Sequence, residues 1–348
     1  MSSTRFRELD GLRGIAALAV VLLHFTVVFE QIFPGHEPLG VSFPYGGLGV
    51  QLFFLISGYV ILMTSRRYGH PGEFLRARAI RLYPTYWVSL TLTVLVVFGL
   101  GVDRLFRPFW EIASNYTMFQ SFVGIRDFDG VYWSLAREMV FYLLIALTLW
   151  VCRRKVPDWF VHWFALAWAL GGLALIAAYA ATDSSLVRVL VLASVAQYAP
   201  LFGLGMNFYL YATTGKMHPV VFPLGALVII NEALMTNWVN GLLCGGLVLL
   251  FAWVIVVKDV SVLRNPVLVW LGGVSYPLYL LHQNIGYSIM DQTIDTIGAW
   301  PARILALAVV LLLAWAVHEL VEVRLSRALN RRLSRGRKAA VAVDKAEA

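Results

Sequence analysis

Residues 9–29 read LDGLRGIAALAVVLLHFTVVF, an apolar run long enough to cross a bilayer that carries an arginine and a histidine, Arg13 and His24. An ionisable side chain in such a run is costly, and it marks a functional site or a structural pair. Eleven residues at about 3.6 per turn is close to three whole turns, so both side chains lie on one helix face, about 16 Å apart along the axis. A helix entering from the cytoplasm holds Arg13 near the inner surface and His24 in the outer half of the membrane. Two plainer roles stay open here: Arg13 reaching back to head groups along its aliphatic stem, and His24 packing as a buried imidazole.

The rest of the chain has the same character. Of 348 residues 59% are hydrophobic and only 14% charged, and the mean hydropathy is +0.73; soluble domains carry nearer one quarter charged residues. The expected class is an all-α polytopic integral membrane protein. About ten spans can be drawn at roughly 20 residues each: 11–32, 46–65, 82–101, 131–152, 159–181, 187–211, 219–236, 238–257, 266–289 and 302–323. Placing the N-terminus inside puts Arg5, Arg7, Arg66, Arg67, Arg76, Arg78, Arg81, Arg153, Arg154, Lys155, Lys216, Lys258 and Arg264 in inner segments. The C-terminal segment adds Arg324, Arg327, Arg331, Arg332, Arg335, Arg337, Lys338 and Lys345, whereas outer segments hold only Arg104, Arg107, Arg126, Arg188 and Arg303. This asymmetry is the positive-inside signature, and it predicts both termini in the cytoplasm. The net charge of +8 is therefore read as topology, with no nucleic-acid partner. One transmembrane domain is expected over 1–330 and a basic, disordered cytoplasmic tail over 331–348. The first apolar stretch is too long for a cleavable signal peptide. Cys152 and Cys244 offer neither a disulfide framework nor metal-ligand spacing.

Two connectors are long. Residues 66–81, RRYGHPGEFLRARAIR, are basic, and their second half reads as an amphipathic interfacial helix. Arg78 and Arg81 share a helix face, with Arg76 expected close to it. Guanidinium groups suit bidentate phosphate binding, although anionic lipid heads attract the same cluster. Residues 102–130 form an outer loop with several aromatics beside Asp127 and Asp129, placed either over an outward cavity or in an interfacial belt. Glu138 lies about seven residues below the outer surface, and His24 about 13 residues above the inner one, which brings them to similar depth. A carboxylate beside an imidazole fixes its tautomer and raises its basicity, as a general base requires. His282, in the ninth span with Tyr276, Tyr279, Gln283 and Asn284 around it, suggests a polar wall of the same cavity. His318 with Glu319 and Glu322 reads as an interface cluster at the inner end of the last span. The glycines of GGLGVQ (46–51) permit close helix approach. Among nucleophile and nucleotide motifs, no G-x-S-x-G, H-E-x-x-H, Walker or dinucleotide sequence occurs.

Five segments together resemble the acyltransferase 3 family of integral membrane acyltransferases: LDGLRGIAALAVVLLHF (9–25), GGLGVQLFFLISGYVI (46–61), RARAIRLYPTYW (76–87), VYWSLAREMVFY (131–142) and SYPLYLLHQNI (275–285). The resemblance covers about residues 5 to 325. It implies about ten spans and transfer of an acyl group, commonly acetyl from cytosolic acetyl-CoA, to a hydroxyl of an extracytoplasmic glycan or another glycosylated acceptor. By position the family arginine and histidine fall on Arg13 and His24 and the family glutamate on Glu138. The chain departs from the pattern at Gln51, where the family often has an acidic residue before the paired phenylalanines. It carries no SGNH hydrolase-like domain, so the stand-alone form is expected. The reading assigns catalysis to His24 and Glu138 and acyl-CoA binding to Arg13, Arg76, Arg78 and Arg81. Tyr276 and His282 line the cavity, and no metal takes part. Membrane lipid, acyl-CoA and the acceptor are the expected partners, and the inner or plasma membrane is the expected location. A transporter or flippase of a lipid-linked sugar, using the same polar face, is the competing reading.

Overall fold

The computed structural model describes residues 6–153 and 156–325. Arg5, Arg154, Lys155, the basic residues from Arg327 onward and the expected tail at 331–348 lie outside them. The described residues are all-α, with no strand among them. The long helices are α1 (Arg7–Leu23), α2 (Leu48–Ser65), α3 (Pro71–Gly99), α4 (Trp133–Val151), α5 (Asp158–Thr182), α6 (Ser185–Ala193), α7 (Ala199–Thr214), α8 (Val221–Met235), α9 (Trp238–Val257), α10 (Pro266–Ile297) and α11 (Ala299–Val317). α1 runs on through a π-turn, His24–Val28, into Phe29–Ile32; the π-helical segment His318–Leu325 follows α11.

Seven helical segments are long and apolar enough to cross a bilayer: Arg7–Ile32, Pro44–Ser65, Pro71–Gly99, Gly130–Val151, Asp158–Thr182, Trp238–Val257 and Ala299–Leu325. They coincide with seven of the ten stretches drawn from hydropathy. The other three depart for local reasons. The sixth stretch is two helices, α6 and α7, because Val195 takes a positive φ of 53° and Pro200 opens a new first turn. The seventh, α8, has 15 residues. The ninth, α10, runs for 32 residues but carries Ser275, His282, Gln283 and Asn284 inward. The basic connector also differs from expectation. Residues 71–81 do not form a separate interfacial helix but are the first turns of α3, entered through Pro71 at its N-terminus.

Side-chain contacts fix the helix directions. α1 and α10 run parallel: Gly14 meets Leu268 and Leu271, and further along His24 meets His282 and Phe25 meets Gly286. α2 is antiparallel to α1, with Gly46 on Ala19 and Gly49 on Ala16. α4 and α7 run parallel to α2, through Phe54–Trp133 and Ser57–Glu138 on one side and Phe54–Phe202 and Tyr59–Tyr209 on the other. α8 reverses α7 (Leu224 on Gly203, Glu232 on Gln197), and α9 reverses α8 (Gly241 and Gly245 on Ile229). Residues Arg13 and Glu322 lie at one end of the bundle, where the Glu322 charge acts on Arg13 and Arg81.

Apolar surface gains nothing by leaving lipid for another apolar surface, so such helices associate through close backbone approach and interhelical hydrogen bonds. Gly272 is the clearest case: a Cβ there would collide with the carbonyl of Asp10, so only glycine lets α10 lie against α1. Interhelical polar contacts do the rest. Arg303 of α11, an outer-segment residue by charge counting, is buried, and it donates to the Phe25 carbonyl at 2.9 Å and to Glu30 at 3.0 Å. A π-turn leaves carbonyls without their usual α-helical donor; Arg303 supplies one to the turn that begins at His24.

Candidate active site

Two cavities open along the α1 face that carries Arg13 and His24. The first encloses about 820 Å³, its mouth included, and is lined by Arg13, Ser57, Arg78, Arg81, Glu138, Tyr142 and Tyr276. The second encloses about 780 Å³ and is lined by His24, Tyr45, Gln51, Trp133, Glu232, Asn240 and Tyr279. Val50 and Tyr279 border both, so the cavities abut there. The Tyr279 hydroxyl is tied to Ser134 at 2.7 Å and donates to the Val131 carbonyl at 3.1 Å, which holds its ring at the boundary.

The arginine cavity is positive. Arg78, with relative exposure of only 6%, keeps its Nε without a hydrogen-bond partner among the described residues, and its guanidinium stands over Phe74 at 5.7 Å. Arg13 feels the charges of Arg81, Glu322, Asp10 and Glu138. Such a set, partly unpartnered and on rigid helices, matches the fork geometry that phosphate requires. Arg76 is exposed and absent from the lining. The reason is helical phase: two residues from Arg78 is about 200° of rotation, nearly the opposite face. Tyr276 lines this cavity and donates to the Leu82 carbonyl at 3.0 Å, pinning α10 to α3.

Glu138 is in this cavity and not beside His24. Its Oε1 accepts from Ser57 Oγ and from Tyr142 OH, both at 2.7 Å. Similar depth did not mean contact, because α4 packs on α2 and α3 whereas α1 presents His24 to α10. The polar partner of His24 is His282, which is fully buried. His282 Nδ1 lies 3.1 and 2.9 Å from the carbonyls of Leu278 and Tyr279. His24 Nδ1 lies 2.8 Å from the Val20 carbonyl and 3.2 Å from His282 Nε2. Carbonyl oxygens only accept, so each neutral imidazole carries its proton on Nδ1. The Nδ1–H of His24 is then shared between Val20 and the lone pair of His282 Nε2. His24 Nε2 is left as a base with no hydrogen-bond partner among the described residues, and His24 lines the second cavity.

Gln51 donates through Nε2 to Glu232 Oε1 at 3.2 Å, so a carboxylate from α8 stands where the family pattern often has one at position 51 itself. Of the loop acids, Asp129 is fully buried and lines neither cavity: its carboxylate accepts from the backbone N–H groups of Val131 and Asn284, clipping the loop onto α10 two residues beyond His282. Burial pushes Asp129 up to about 7, and burial likewise pushes Asp127, which accepts from Gln120, up to about 6. His318 and Glu322 pair at 2.9 Å. Ser57, Tyr142 and Glu232 are the residues that sequence reasoning missed. Glu232 carries a signal of its own, being an ionisable residue inside an apolar stretch, as Arg13 and Glu138 are.

A protein of Staphylococcus aureus (strain COL) named "Putative O-acetyltransferase" is 28% identical over 318 residues, covering 79% of this chain and 49% of that protein. Acyltransferase MdmB of Streptomyces mycarofaciens is 29% identical over 171 residues, covering 46% of this chain and 43% of that protein. Nodulation protein 10 of Rhizobium leguminosarum bv. viciae is 28% identical over 175 residues, covering 44% and 47%. The chain thus spans about half the length of the curated relatives it matches. No solved structure matches it. The profile of the acyltransferase 3 family, described as an acyltransferase domain, matches residues 6–319, and the chain belongs to that family.

Proposed function

We propose that this chain is a membrane O-acyltransferase that takes an acyl group, acetyl in the simplest case, from cytosolic acyl-CoA and passes it to a hydroxyl of an extracytoplasmic glycan or other glycosylated acceptor. The observation that carries the reading is the pair of abutting cavities on one face of α1, one cationic and one with a free imidazole base. Alternating helix directions support ten crossings with both ends cytoplasmic, and the charge asymmetry supports an arginine cavity that opens to the inner face. Arg13, Arg78 and Arg81 hold the CoA phosphates there. The pantetheine arm extends past Tyr279 over the roughly 16 Å of α1 between Arg13 and His24.

His24 Nε2 takes the proton of the acceptor hydroxyl as its oxygen attacks the thioester carbonyl. The C–S bond breaks, the ester C–O bond forms, and the proton leaves with the CoA thiolate. An acyl-imidazole route uses the same lone pair as nucleophile. His282 holds the Nδ1 proton in place and so leaves Nε2 basic. Glu138 holds Ser57 and Tyr142 at the wall of the donor cavity and offsets the arginine charge. The chemical class named for the Staphylococcus and Streptomyces relatives supports the reading.

The test is release of CoA thiol from acetyl-CoA by the protein purified into lipid nanodiscs with cell-envelope extract as acceptor. Wild type releases CoA; Arg78→Ala with Arg81→Ala raises the KM for acetyl-CoA by roughly 10-fold or more, the loss of hydrogen bonds between charged groups. Sugar-lipid movement driven by an ion gradient, without thioester consumption, would establish the transporter reading instead.

A further inference from the structure

Glu232 is a charge that the acyl-transfer chemistry above leaves unused. It lies on α8 with relative exposure of 5% and lines the His24 cavity. Its neighbours among the described residues are amides and a hydroxyl, not cations: Gln51 donates to Oε1 at 3.2 Å and Gln197 to Oε2 at 3.4 Å, with Thr236 beside them. A carboxylate offers about four lone-pair sites, of which these amides fill two. The Oε1 of Gln51 is buried and has no hydrogen-bond partner among the described residues. The spare capacity at this wall is therefore for accepting hydrogen bonds, and it calls for a ligand that donates them. Trp133 and Tyr45 border the same space and offer aromatic faces.

Resting on the acyl-transfer reading, we propose that Glu232, held by Gln51 and Gln197, positions the acceptor: it takes hydrogen bonds from hydroxyls of an uncharged glycoside that flank the hydroxyl presented to His24, and its charge turns away acceptors bearing a carboxylate at that place. Two acceptor oxygens side by side suit the vicinal hydroxyls of a pyranose, and the aromatic rings suit its apolar face. A carboxylate ligand would meet like charge at Glu232, which is destabilising. Glu232 makes no contact with His24, so its role is in positioning and selection, not in bond making.

The experiment compares acetyl transfer from acetyl-CoA to p-nitrophenyl β-glucoside and to p-nitrophenyl β-glucuronide, read by mass spectrometry of the products, for wild type, E232Q and E232D in nanodiscs. Wild type acylates the glucoside and discriminates against the glucuronide. E232Q raises the glucoside KM about tenfold, the size of one hydrogen bond to a charged group, and narrows the glucoside-to-glucuronide ratio by a similar factor. Its KM for acetyl-CoA is unchanged. E232D recovers part of the glucoside KM, which a merely structural defect would not produce. An unchanged glucoside KM and ratio in E232Q would overturn the proposal. So would a wild type that releases CoA with envelope extract yet acylates the glucuronide as well as or better than the glucoside. Failure of wild type to release CoA with any acceptor would sink the acyl-transfer reading and this one with it, whereas either of the preceding outcomes leaves acyl transfer standing.

Discussion

Substituting His282 by alanine tests how the catalytic imidazole is prepared. The side chain is fully buried, and its Nε2 accepts part of the hydrogen bond from His24 Nδ1 at 3.2 Å. The same proton has a second, shorter acceptor in the Val20 carbonyl at 2.8 Å. The tautomer of His24 therefore survives the substitution, and what is lost is about one neutral hydrogen bond, ~0.5–1.5 kcal/mol. At about 1.4 kcal/mol per factor of ten, kcat for acetyl transfer falls roughly 2- to 12-fold. The KM for acetyl-CoA stays within about twofold, because the arginine cavity is untouched. Stability falls separately, since an imidazole-sized void opens between α1 and α10; cavities of this kind cost on the order of 2–5 kcal/mol, and His282→Gln restores volume and an acceptor. The assay is initial-rate CoA release with donor and acceptor varied, on protein checked for folding by size-exclusion profile and thermal melting. If H282A loses activity by 10³-fold or more while folded and still binding CoA, His282 takes part in bond making, and the positioning argument fails. If its kcat equals wild type, the contact with His24 is packing alone.

Other outcomes follow from the same geometry. Arg303→Met removes the donor to Phe25 O and the partner of Glu30, so thermal stability drops by about 1.5–3 kcal/mol and kcat falls with it, because the π-turn begins at His24; a melting temperature equal to wild type would contradict this. Asp129 holds its proton in the fold up to about pH 7, whereas the unfolded chain releases it near pH 4. The folded state thus binds more protons between those values, and this contribution to stability declines as pH rises from about 4 to 7 and is flat above. Across that range the melting temperature of wild type should fall as pH rises, whereas D129N lacks this slope; identical pH profiles would refute the assignment. Arg76→Ala leaves the acetyl-CoA KM within about twofold, whereas Arg78→Ala raises it roughly 10-fold or more; equal effects would mean that the exposed arginine reaches the donor.

Much of the fold was legible because a bilayer enforces it. Apolar runs of spanning length have to be helices whose backbone groups are satisfied internally, and seven were found where hydropathy drew them. Cost also made Arg13, His24 and Glu138 conspicuous, since a charge in such a run is seldom retained without a role. Partnership was not legible. Depth along two helices says nothing of which faces meet, and so His24 pairs with His282, 258 positions away, while Glu138 turns to Ser57 and Tyr142. Arg76 fell outside the cavity for the opposite reason, because helical phase was readable and two residues place it across from Arg78. Arg303 was counted as an outer charge although it is buried; charge counting carries no information about burial. Gln51 shows the limit of position-by-position comparison, because the carboxylate beside it arrives from another helix.

Acyl transfer by this chain depends on the lone pair at His24 Nε2. The direct measurement is transfer of ¹⁴C-acetyl from acetyl-CoA to envelope glycan by purified wild type and His24→Ala protein in nanodiscs, with CoA binding measured on the same samples. Loss of transfer by roughly 10²- to 10⁴-fold, the worth of a positioned general base, with CoA binding and folding intact, is the expected result. Transfer at the wild-type rate by folded His24→Ala protein would contradict it.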